Sequence, residues 1–424
     1  MKNIKPSWLI IFCLVFAGEI IFSLPFHLPR FFRPSVLDVF GLSNAGLGDV
    51  FAVYGVVAML AYFPGGAIAD RFSARKLMTA SLVATALGGF YLAKIPGDTG
   101  LSVLFGYWGL TSILFFWAAM IKATREWGGD NRQGRAFGLL EGGRGLVAAG
   151  AASVAVWILA MLLPANLEAL TRLQRLQAVQ AVIYFYTMMT LTAALLVWWF
   201  IPDTDCESKL KPGFKQSQIF SGIQSVLGQR VVWLQAIIIV CAYTGYKGLD
   251  NYALYARDVL QMDELASAQF TAIAAYLRPV AAIATGFIVD RFVASRVIVV
   301  VFSVLFVSYL LLSFTSFPDF AMTIVYANII ISFVAVFGIR GVYFTLLEET
   351  RIAGKITGTA VGLVSVVGFT PDIFFAPISG RILDASPGAA GFQNYFLMLS
   401  GFAIAGMLAA LVLAQQKANV CVRG

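Results

Sequence analysis

Residues 66–76 read GAIADRFSARK and residues 286–296 read GFIVDRFVASR, with Gly, Ile, Asp, Arg, Phe and Ala shared across an offset of 220 residues. The chain around them has 424 residues, of which 59% are hydrophobic and 12% charged. Its mean hydropathy is +0.83, against about a quarter charged residues in an ordinary soluble domain. A charged phrase written twice in so apolar a chain marks equivalent places in two copies of one unit.

A bilayer core is crossed by about 20 apolar residues of helix, and twelve segments fit. Six precede the middle of the chain: Trp8 to Leu28, Leu47 to Ala69, Leu77 to Ala93, Leu101 to Ile121, Ala136 to Leu162 and Val179 to Ile201. Six follow: Val231 to Tyr252, Ala268 to Val289, Val297 to Phe314, Phe320 to Ile339, Ile356 to Ile378 and Tyr395 to Leu413. Lipid offers no partner for backbone N–H and C=O groups, so each is expected to be a helix. The fold class is an all-α membrane protein of twelve transmembrane helices in two pseudo-symmetric six-helix halves. The halves are residues 1–201 and 231–424. Residues 202–230 form a cytoplasmic linker, and Ile219, Ile223, Val226 and Leu227 within it recur at the spacing of a helix lying in the interface. The first apolar run is read as the first membrane helix, not as a cleaved leader.

The formal net charge of +8 invites a nucleic-acid reading, which the placement of the charges opposes. With the N-terminus inside, twenty Lys and Arg fall in inner segments and seven in outer ones. That is the positive-inside bias, and it puts both termini in the cytoplasm. The four cysteines are scattered and the one histidine stands alone, so neither a metal nor a cofactor is expected. No Ser–His arrangement or metal-ligand cluster points to an enzyme.

The repeated phrase falls at the inner end of the second helix of each half, the arrangement expected of a carrier whose halves rock about a central site. GGAIADRFSARK (65–76) resembles the loop signature of the major facilitator superfamily, with Ser73 and Ala74 in place of its glycine and first basic residue. The resemblance implies the major facilitator fold and a transporter. It also implies a conformational latch drawn from Gly66, Asp70, Arg71, Arg75, Arg135, Asp290 and Arg291. Asp70 ends its helix at the negative pole of the helix dipole and calls for a partner. Arg71, Arg75, Arg135 and the start of the eleventh helix are the candidates.

Ionisable groups at membrane depth are candidate functional groups. They are Glu19, His27, Glu141, Arg144, Lys247, Asp250, Arg278 and Asp372. The 220-residue offset superposes His27 on Lys247 and Arg30 on Asp250, so these groups are expected to face one another. GYKGLDNYALYARD (245–258) is similar to the seventh helix of the organophosphate:phosphate antiporters. That branch grips phosphate with cations whose positions fall on His27, Gly245 and Arg144. The seventh-helix arginine is missing here, although Lys247 lies two residues on. Arg144, Lys247, His27, Arg30, Asp250 and Arg278 are therefore the candidate solute ligands, and Glu19 and Asp372 the candidate proton carriers. Glu141 and Arg144, three residues apart, are also expected to pair within their helix. The glycines 134, 138 and 142 form a small-residue stripe for close helix packing.

The expected activity is secondary transport of a small polar, anionic organic solute by alternating access, coupled to a proton or a counter-anion. A proton-coupled carrier of neutral sugars or drugs, or a non-transporting receptor, is the alternative. The expected partners are the solute and the lipid bilayer, not nucleic acid, in a monomer of the bacterial inner membrane.

Overall fold

The computed structural model describes residues 7–129, 133–164, 170–203, 228–314, 322–343, 345–346 and 364–423. Every regular element among them is helical. The spans of the first half are α1 (Trp8–Ile20 and Ser23–Phe31), α2 (Asn44–Arg71), α3 (Ala74–Leu92), α4 (Asp98–Gly128), α5 (Gln133–Leu162) and α6 (Arg172–Phe200). Those of the second are α7 (Arg230–Asp258), α8 (Glu264–Arg291), α9 (Ala294–Phe314), α10 (Met322–Val342), α11 (Val364–Ala385) and α12 (Ala389–Arg423).

Ten of these are long and apolar enough to cross a membrane, and the two pieces of α1, bent by 42°, make an eleventh. The twelfth, α3, is less apolar because it begins with Arg75 and Lys76; its other polar groups face inward. Ser81 and Thr85 are buried; Ser81 donates to the Thr111 carbonyl at 2.5 Å, and Thr85 meets the Thr111 hydroxyl at 2.8 Å. Its 19 residues still rise about 28 Å, close to the hydrocarbon thickness.

The helices run past the apolar segments because their ends are capped beyond the hydrocarbon. Asp263 accepts from the Ala266 N–H to start α8, and Thr171 and Gln174 form a capping box at α6. Most of the linker, residues 204–227, and the first part of the eleventh segment, 356–363, lie outside the described residues.

The polarity is inverted relative to a soluble protein. Leu60, Phe63, Leu87, Val103, Trp157 and Val300 are more than half exposed, while Glu19, Arg144, Lys247 and Arg278 are buried. Lipid removes the cost of that apolar exterior; water would not.

The described residues form two compact units. The first takes those of 1–207, 250–279 and 372–388; the second takes those of 208–249, 280–371 and 389–424. The first thus gathers α1–α6, the last turns of α7, the first part of α8 and the second part of α11. In the second, α12 packs along α9 and α7, with Gly406 set against the Phe302 ring so closely that a Cβ would fall 2.4 Å from it.

Candidate functional site

The charged groups of the first unit converge on Glu19. In α1 the helix ends at Ile20, and Pro25 and Pro29 remove two N–H donors just beyond it. The chain answers with a wide π-type turn over Ser23–His27 and the 42° bend. In a straight helix His27 would stand about 12 Å along the axis from Glu19. Here its Nε2 lies 3.2 Å from Glu19 Oε1. Facing a carboxylate, Nε2 carries a proton, and Nδ1 has no hydrogen-bond partner.

The other two partners come from distant helices. Arg144 on α5 donates from Nε to Glu19 Oε2 at 2.9 Å, and Arg278 on α8 donates from Nη1 to Glu19 Oε1 at 2.9 Å. Arg144 also donates from Nη1 to Glu141 Oε1 at 2.6 Å, and Arg278 Nη2 lies 3.7 Å from Glu141 Oε2. The rings of Phe22 and Trp117 sit 5.7 Å from the Arg144 guanidinium, within cation–π range. Two carboxylates and two guanidiniums cancel, so with a neutral imidazole the cluster carries no net charge. Glu19, Arg144 and Arg278 are buried while Glu141 is half exposed, and at the buried end a lone charge costs several kcal/mol.

Small residues and a proline make room. Pro279 leaves the Ala275 carbonyl without its helical donor, and α8 breaks at Ala275 and Tyr276, just before Arg278. A Cβ on Gly145 would stand 3.2 Å from Arg278 Cγ and Pro279 Cδ, and one on Gly143 would meet Val15 at 2.7 Å. The stripe expected on α5 is therefore used differently. Gly138 and Gly142 have nothing within 4 Å, and the contacts fall to the glycines beside Arg144.

The other candidates lie elsewhere. Arg30 and Asp250 do meet, Nε to Oδ1 at 2.5 Å, and so are each other's partners. Lys247 is buried in the second unit. Asp372 contributes its backbone, whose carbonyl would be 2.5 Å from a Cβ on Gly55.

The latch residues are arranged differently from expectation. Arg75 turns to Asp203 and stacks over Trp198 at 4.9 Å. Asp70, Arg71, Arg135, Asp290 and Arg291 are exposed, and Gly66 faces open space. Among the described residues Asp70 has no ion pair, and Arg75 is engaged by Asp203. The start of the eleventh helix lies outside the described residues.

The sequence reading missed the fastening at the other end of α2. Asp384 of α11 accepts from the N–H groups of Asn44 and Ala45 at 3.1 and 2.7 Å, and Ser43 accepts from Gly46 at 3.0 Å. Between them they satisfy three of the four free donors of the α2 N-terminus. Arg381 grips Asp49 with two bonds of 2.9 and 3.1 Å. Also missed was Arg340, which stacks 3.6 Å over Tyr246 in the second unit. No local sequence pattern signals either, because the partners come from other helices.

Among the described residues, ten long apolar helices and a broken eleventh span mark an integral membrane protein, and the family its sequence matches makes it a transporter, not an enzyme. The sequence profile of the Major Facilitator Superfamily matches residues 7–371, and the chain belongs to that family. It is 28% identical over 413 residues to the inner membrane protein YqcE of Escherichia coli (strain K12), covering 96% of this chain and 94% of that protein. It is 26% identical over 424 residues to the inner membrane protein YihN of the same strain, covering 97% and 96%. Among solved structures, a D-xylose-proton symporter superposes with a TM-score of 0.76 at 15% identity, over 96% of this chain and 97% of that one.

Proposed function

We propose that the protein carries a small organic anion together with a proton across a bacterial inner membrane by alternating access, one chain sufficing. Arg144 and Arg278 bind the anionic group and Glu19 carries the proton. The observation behind this is one buried carboxylate with each oxygen held by an arginine from a different helix. An anion brought to these arginines competes with Glu19. Alone it would leave the cluster at −1; a proton on Glu19 alone would leave it at +1. Both together restore zero. In a low-dielectric site the half-loaded states are costly, so solute and proton travel as a pair. His27 and Glu141 touch the same groups and hold them in place.

The names of the E. coli relatives favour the inner membrane, and the symporter's name offers a precedent for proton coupling on this fold. Phosphate esters, which the resemblance to the organophosphate antiporters implied, fall within the same class of anions.

Purified protein in proteoliposomes with an alkaline interior and an acidic exterior, given labelled organic acids, phosphate esters and neutral sugars, tests the reading. Accumulation of an anionic solute is expected, approaching tenfold per pH unit, since each unit is worth about 1.4 kcal/mol. Glu19→Gln should still exchange solute but not concentrate it. Accumulation by Glu19→Gln equal to the parent's would remove Glu19 as the proton site, and uptake of neutral sugars alone would remove the anion.

A further inference from the structure

In and around the charge cluster lie buried polar atoms that make no hydrogen bond, Arg278 Nη2 among them although it pairs with Glu141 at 3.7 Å. His27 Nδ1, the Tyr186 hydroxyl and Arg278 Nη2 have no hydrogen-bond partner in the protein. His27 and Tyr186 are 3% and 0% exposed, and their rings meet edge-on with centroids 6.3 Å apart. The contrast along α6 is informative. Thr187 and Thr190, on the same helix, discharge their hydroxyls onto the carbonyls of Ile183 and Tyr186 at 2.7 and 2.8 Å. A phenol has no such local outlet. Leaving a buried polar group unmatched costs about 1–3 kcal/mol, so two of them against the ion cluster call for a ligand group.

The chemistry of the three atoms is complementary. Nδ1 of a neutral imidazole accepts a hydrogen bond; the phenol both donates and accepts; the guanidinium nitrogen donates. A carboxylate on the arginines leaves an acceptor and a donor–acceptor beside it, the set that matches an alcohol. We propose that the cargo is a hydroxy acid: its carboxylate on Arg144 and Arg278, and a neighbouring hydroxyl donating to His27 Nδ1 while accepting from Tyr186. This rests on the anion reading above and narrows it to a substrate class. A simple fatty acid or an unsubstituted dicarboxylate would leave both atoms unmatched, and a site built to bond a hydroxyl discriminates strongly against its deoxy analogue.

The test uses the purified full-length chain and matched acids: lactate against propionate, and gluconate against hexanoate, read as ligand-dependent thermal stabilisation at a single acidic pH. The hydroxylated member of at least one pair should bind at least about tenfold more tightly. Tyr186→Phe, which keeps the ring, should cut that preference about fivefold, the worth of one neutral hydrogen bond, and leave deoxy-acid binding unchanged. Unchanged deoxy binding also shows that the variant is folded; the parent's own ratio, which needs no variant, decides the class. Equal binding of both members of each pair would overturn the hydroxy-acid assignment while leaving the anion reading intact, with the two atoms then holding only water. Failure of every acid to bind would overturn both. A preference untouched by Tyr186→Phe would overturn the role of Tyr186.

Discussion

At the scale of single residues, Glu19 decides the electrostatics of the site. The sequence showed that it is an acid at membrane depth, but not what holds it. Arg144 and Arg278 lie 125 and 259 residues away, and no local spacing rule reaches that far. The pair Arg30–Asp250 was more legible, because an offset of 220 residues equals the offset of the repeat. Equivalent positions of equivalent helices meet where the halves meet. Removing one member of a buried ion pair typically costs about 3–5 kcal/mol, because a charge is stranded. Arg144→Gln should therefore lower the thermal stability of the purified protein more than Arg340→Gln, whose group is only half-buried. Glu19→Gln combined with Arg144→Gln should destabilise by less than the sum of the two single changes. Strict additivity of the two would mean that the 2.9 Å contact carries no coupling.

At the scale of elements, apolar length was enough to find the helices. It could not show where they touch. The closest approaches of a glycine to another helix's backbone in the first unit are between α2 and α11. Cβ atoms on Gly48, Gly55 and Gly380 would fall 2.4, 2.5 and 2.3 Å from the backbone oxygens of Ala376, Asp372 and Asn44. Backbone cannot yield as a side-chain tip can, so overpacking of about 1–3 kcal/mol is expected for alanine there. Gly66, on the same helix, has nothing within 4 Å. Gly55→Ala should lower the unfolding temperature and Gly66→Ala should hold or raise it, since alanine is the better helix former. Equal effects would show that the α2–α11 contact is not a tight one.

The α3–α6 junction gives a pH test. The Ser73 hydroxyl at its side, though outside hydrogen-bonding geometry, then the Arg75 and Lys76 charges hold Asp203 below the usual carboxylate range, against the opposing effect of burial. A depressed carboxylate contributes stability above its unfolded value, near 3.9. That contribution is lost as pH falls from there through the folded value. The stability difference between parent and Asp203→Asn should thus be flat from pH 8 to about pH 5 and shrink below about pH 4. A difference that changes between pH 8 and pH 6 would contradict this assignment.

At the scale of the whole molecule, the duplicated phrase announced two related halves, yet its two copies are not equivalent. Arg75 has a carboxylate to grip, and the matching position of the second copy is the buried Ser295. The symmetry visible in sequence belongs to the fold, and the ion pairing departs from it. Here the end of the first unit that holds Arg30 is fastened by Arg30–Asp250, Arg175–Glu264, Arg381–Asp49 and the Asp384 cap on α2, while Asp70 at its other end is exposed. If the carrier alternates, loosening the fastened end must shift the whole molecule. Losing a cap costs about 1–2 kcal/mol, a factor of roughly 5 to 30 in an equilibrium. In a cysteine-free background, Ala376→Cys reports on the fastened end, because Ala376 is buried against Gly48, and Phe72→Cys reports on the exposed one. Adding Asp384→Asn should speed maleimide labelling of Ala376→Cys and slow that of Phe72→Cys, whereas adding Asp70→Asn should leave Ala376→Cys protected. Faster labelling at position 376 with no change at position 72 would mean that the two ends open independently, and alternating access would have to be abandoned for this chain.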